Sequence, residues 1–111
     1  IHGFLLSRTG YYQSVEQMIA ARPAIRLVLC GHMDDYYTRV FAYDDDGDGQ
    51  QERVVNALML NMQRQQDYAF RLLTFDPVSR SIDVRTYRLD GSLAPDMDKL
   101  GPISFTLEDA F

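Results

Sequence analysis

The stretch Ile25-Arg26-Leu27-Val28-Leu29-Cys30-Gly31-His32-Met33-Asp34 decides how this chain is read. Its aliphatic run is nearly unbroken, whereas a strand with one wet face would alternate apolar and polar residues. The spacing therefore predicts a strand buried on both faces, the kind found in sheets that helices cover. The run stops at Gly31, where the backbone can turn sharply, and His32 and Asp34 follow at once. In helix-covered sheets, ligands bind beyond the carboxyl ends of strands, where loops present side chains from a rigid edge. A histidine and a carboxylate two positions apart on such a loop can face one metal ion or one anion.

Upstream, residues 1–7 read as a strand end running into a loop, and Arg8-Thr9-Gly10 as a turn. Ser14-Val15-Glu16-Gln17 has the form of a capping box, with the serine accepting from an early helix amide and Gln17 reaching back. Val15, Met18 and Ile19 then mark one helical face, and Pro23 ends the helix by pushing its predecessor out of the helical region. Downstream, residues 36–43 are aromatic and β-branched and predict a strand. Residues 44–52 are polar with two glycines and connect it to an apolar return strand at 54–62, whose Ala, Leu and Met content would also permit a helix. After a polar loop at 63–67, residues 70–75 predict a strand with Arg71 and Thr74 facing water. Residues 82–87 alternate cleanly, with Ile82, Val84 and Thr86 on one side. Residues 93–102 look irregular, and 103–107 predict a last short strand. The fold class is α+β: one short helix and a dominant mixed, mainly antiparallel sheet, because short connections imply antiparallel pairing.

The 111 residues amount to one domain, spanning 1–111. Hydrophobic residues at 46% and charged residues at 24% are those of a folded globular chain and argue against disorder. A net charge of -5 disfavours nucleic acid and anionic membrane as partners, since both want a basic face. No apolar run is long enough to cross a bilayer, and the start shows no signal-peptide pattern. Lys99 is the one lysine and the other basic residues are arginines, whose planar forks suit phosphate or carboxylate. Cys30 alone cannot form an internal disulfide and is expected to pack as a small hydrophobe. The chain starts at Ile1 and not at Met, which suggests that it is cut from a longer one.

Besides His32 and Asp34, an acidic loop could carry chemistry. Asp44, Asp46, Asp48 and Gly49 reproduce the start of a calcium loop, whose alternating carboxylates wrap a hard cation, and Glu52 falls where a further oxygen ligand is usual. The bidentate glutamate of the twelfth position is missing, since Val55 stands there, and both flanks predict strands. A solvated acidic hairpin tip is the preferred interpretation of Asp44, Asp46, Asp48 and Glu52. Asn61-Met62-Gln63 is taken as structural, because such amides at strand ends satisfy backbone groups. Tyr36-Tyr37 could line a pocket, but such pairs more often pack in a half-buried strand. No phosphate-cradling glycine loop, no serine or cysteine nucleophile with its base and no nucleic-acid motif is present.

The Cys30-Gly31-His32-x-Asp34 sequence resembles the last metal-binding motif of the calcineurin-like metallophosphoesterases, Gly-His-x-His after a buried strand. Ile1-His2-Gly3 before Phe4-Leu5-Leu6 is similar to the family's preceding motif. Asn61-Met62-Gln63, Leu73-Thr74-Phe75-Asp76-Pro77 and Arg85-Thr86-Tyr87 match later segments of its bacterial members in order, so the resemblance covers residues 2–87. It differs in two ways: Asp34 replaces the second histidine, and the amino-terminal motifs Asp-x-His, Gly-Asp and Gly-Asn-His are absent ahead of His2. The resemblance thus implies the carboxyl-terminal part of a larger phosphoesterase domain, contributing to its β-sandwich. It implies hydrolysis of phosphomonoesters or phosphodiesters by metal-activated hydroxide in the intact enzyme. It also implies metal ligands at His2, His32 and Asp34, holding divalent manganese, iron or zinc. The fragment alone is expected to be inactive, lacking the bridging aspartate and catalytic histidine, and to self-associate through exposed sheet edges. The alternative is a non-catalytic β-rich interaction module with a calcium-binding acidic loop.

Overall fold

Residues 54–60 are apolar at every position but Asn56, and such a strand needs cover on both sides. The computed structural model, which describes residues 10–32, 35–62, 68–97 and 101–111, gives it that cover. The described elements are α1 (Gly10–Ala20), β1 (Leu27–Cys30), β2 (Asp35–Tyr43), β3 (Arg53–Asn61), β4 (Ala69–Asp76), β5 (Ser81–Arg88) and β6 (Phe105–Leu107). One three-stranded sheet has the order β1-β3-β2, and a second has the order β4-β5-β6. Within the first, β1 runs parallel to β3 and β2 antiparallel to it. The second is antiparallel throughout. The molecule is thus a small α+β fold with one short helix and two small sheets, where the sequence led us to expect a single dominant one.

β3 is the centre because alternate side chains leave it in opposite directions. On one side Val55, Ala57 and Met59 pack with Val15 and Ile19 of α1, Val28 of β1 and Phe41 of β2. On the other, Leu58 packs with Ile82 and Val84 of β5 and with Ala110. Helix, first sheet and second sheet therefore stack as three layers with β3 in the middle one.

Several expectations are corrected. The strand buried on both faces is β3 and not β1: Val28 is buried, but Leu29 is 50% exposed. The first sheet places β1 to one side of β3, where cover is incomplete. The helix begins at Gly10, so Ser14 lies inside it and does not cap it. Tyr12, Val15 and Ile19 share one stripe against the sheet, and burying Tyr12 draws in a turn that the capping signal left out. Met18 falls off that stripe and is 43% exposed. Thr74 faces solvent as expected, but Arg71 turns inward. Its Nε donates to Thr86 Oγ1 at 3.2 Å, and its terminal nitrogens donate to Met59 O and Ile103 O at 3.4 and 3.3 Å. Strand alternation puts residues 71 and 74 on opposite faces. Burial lowers the pKa of Arg71 from its ordinary value, yet a guanidinium keeps its charge. The strand end expected at 1–7 and the loop expected at 63–67 lie outside the described residues.

Candidate functional site

The connection from β1 to β2 is forced into an unusual place. The two strands flank β3 on opposite sides, so the chain leaving β1 must cross over the carboxyl end of β3 to begin β2. His32 lies on that crossing. The parallel register pairs Leu27 with Asn56 and Cys30 with Met59. Two steps further along the same offset, His32 comes beside Asn61, the last residue of β3.

Three features fix this corner. A Cβ added to Gly31 would stand 3.3 Å from Leu60 O, so the crossing runs close against the β3 backbone and leaves little room for a side chain there. His32 has φ 79°, the left-handed region that residues with a Cβ seldom enter. The Asn61 side-chain amide donates to His32 O at 2.9 Å. A backbone held in so costly a conformation by its surroundings is a feature often met at functional sites. The His32 side chain is exposed at the sheet rim.

Of the other residues expected at this site, His2 and Asp34 lie outside the described residues. Among the described residues, no group of three or more His, Cys, Asp and Glu side chains that could hold a metal includes His32. A lone exposed imidazole fits manganese, iron or zinc as one ligand; it does not by itself make a metal centre. Tyr36 is buried, and its hydroxyl donates to Gly101 O at 2.8 Å while accepting from Met97 N at 2.8 Å. It pins the irregular segment after β5 to β2. Cys30 packs beside the helix-side core, as expected of a small hydrophobe.

The acidic loop does bring its carboxylates together: ligand oxygens of Asp44, Asp46, Asp48 and Glu52 lie within 4.8 Å of one another, all exposed. Such a set could hold a cation. The same carboxylates also accept from the loop's own amides. Gly47 N and Gly49 N donate to the two oxygens of Asp44 at 2.6 and 2.7 Å. Asp48 N donates to Asp46, Gln50 N to Asp48, and Asp45 N to Glu52, at 2.8 to 3.1 Å. These donors, Gly49 N foremost, hold the Asp44 carboxyl below its usual value. Gly47 and Gly49 both have positive φ, at 80° and 92°, which glycine adopts without strain.

Sequence reasoning missed the residue that ties this hairpin to the helix. Arg53 is 3% exposed at the start of β3. Its Nε and one terminal nitrogen donate to the two oxygens of Asp45 at 2.6 and 2.8 Å, a bidentate pair. The same guanidinium donates to Ile19 O and Ala20 O at 3.3 and 3.1 Å, satisfying carbonyls that the end of α1 leaves open. It also lies over the Tyr43 ring, 4.5 Å from its centroid. The signal was an arginine opening a mainly apolar strand, just after an acidic run.

No family model, curated protein or solved structure matches the chain.

Proposed function

We propose that this chain is the carboxyl-terminal part of a metal-dependent phosphoesterase that hydrolyses phosphomonoesters or phosphodiesters, with His32 as one of its metal ligands. The observation that carries this is the strained, exposed His32, held on a glycine-tight crossing at the carboxyl end of a parallel strand. Strained backbone clusters at functional sites. The motif resemblance supplies the chemistry, and Asn61, which belongs to one of the resembling segments, touches the His32 backbone. Divalent transition-metal ions would supply a nucleophile at neutral pH and polarise the phosphoryl oxygen. His32 would hold such an ion through a neutral imidazole, with His2 and Asp34 as the other candidate ligands. The 111-residue chain is expected to be inactive by itself, since the Asp-x-His and Gly-Asn-His motifs do not occur in it.

The test is hydrolysis of p-nitrophenyl phosphate and its diester by the natural full-length protein with added manganese. Manganese-dependent turnover lost in His32→Ala supports the assignment. Turnover that is absent, or that is unchanged by His32→Ala, rejects it. A calcium-stiffened module is the less economical interpretation, because Val55 stands where a calcium loop carries its bidentate glutamate and the acidic tip is exposed.

A further inference from the structure

We infer that Asn61 is a positioning residue for His32, a step that rests on the functional assignment above. The bond from Asn61 Nδ2 to His32 O, at 2.9 Å, is a contact between two strand ends 29 residues apart in sequence, so it is not a local turn satisfying itself. It acts on the residue that most needs holding. A non-glycine residue at φ 79° relaxes toward the extended or helical regions unless its surroundings over-determine it. Gly31, pressed against Leu60 O, fixes the approach to His32 from one side. The Asn61 amide fixes its carbonyl from the other. Between them the Cα–Cβ direction of His32 is set, and with it where the exposed imidazole stands.

The chemistry of the amide matters. Only a donor can satisfy a carbonyl oxygen, so an aspartate of the same size at position 61 would present an acceptor and repel His32 O. Outer contacts that orient a metal ligand typically change metal affinity by about tenfold to a hundredfold when removed.

The experiment uses the natural full-length protein and its Asn61→Asp, Asn61→Ala and His32→Ala variants. In the metal-free proteins, the backbone chemical shifts of Gly31 and His32 are recorded. Manganese affinity is then measured by paramagnetic broadening of the histidine ring signals. Both Asn61 variants should move the His32 backbone shifts while leaving those of β5 in place, and both should weaken manganese binding by about tenfold or more, with Asn61→Asp the worse. Unmoved His32 shifts in Asn61→Asp would overturn the positioning role, whatever the metal does. Manganese affinity unchanged in both Asn61 variants, with affinity lost in His32→Ala, would overturn it too while leaving the functional assignment standing. Manganese affinity unchanged in His32→Ala, with the His32 shifts moved by Asn61→Asp, would overturn the assignment and support the backbone clamp.

Discussion

At the scale of single residues, His32 and Tyr43 make opposite demonstrations of how local cost is distributed. His32 carries a left-handed backbone that glycine would adopt freely. His32→Gly should therefore raise stability by about 0.5–1 kcal/mol, the relief of strain less the entropy that glycine brings, read as a higher midpoint in thermal unfolding. A midpoint that falls would mean the imidazole makes contacts worth more than the strain. Tyr43 has a hydroxyl that is buried with no hydrogen-bond partner among the described residues, and burial raises its pKa. Its ring still receives the Arg53 guanidinium. Tyr43→Phe removes only the stranded polar atom, so stability should hold or rise by up to about 1 kcal/mol; urea unfolding of the two proteins checks it. His32 was legible as a candidate from its place after Leu27-Val28-Leu29-Cys30-Gly31. Its conformation was not, because a positive φ at a histidine leaves no mark in the sequence.

At the scale of elements, the acidic hairpin and Arg53 form a working unit. Arg53 joins Asp45, the carboxyl end of α1 and the Tyr43 ring through one side chain. Arg53→Met should cost on the order of 3 kcal/mol, since it opens helix carbonyls and breaks a charge-assisted pair together. Circular dichroism should show the loss as a lower midpoint with helix signal going first. The Asp44 carboxyl is held low by Gly49 N and Gly47 N, so its contribution is present above its unfolded value of about 3.9 and is lost as pH falls through the lower folded value. The midpoint gap between wild type and Asp44→Ala should be full near neutral pH and close as the solution is taken into that acid range. Because Val55 replaces the twelfth-position glutamate of a calcium loop, millimolar calcium should leave the midpoint unchanged, as should a chelator. The strands themselves were legible, since 36–43, 54–62, 70–75 and 82–87 each lie within a residue or so of an observed element. Which strand is central was not. Leu27–Cys30 is the denser apolar run, and only pairing tells that it lies to one side and β3 in the middle.

At the scale of the whole molecule, three layers share one central strand, and the outer face of the second sheet carries apolar side chains. Phe70 and Leu72 of β4 are 48% and 52% exposed, and among the described residues no strand pairs with the far edge of β4. An edge with apolar side chains recruits partners, so light scattering should give a mass above the monomer at high concentration, and Phe70→Lys with Leu72→Glu should return it to the monomer. The topology also explains why the candidate site stands where it does: a chain that flanks β3 on both sides must pass over its end, and that passage puts a histidine beside Asn61. The most direct test of this account is the metal content of the natural full-length protein purified alongside its His32→Ala variant. Manganese, iron or zinc held by the wild type and missing from the variant is the predicted result; equal metal in both, or none in either after manganese is supplied, would contradict it.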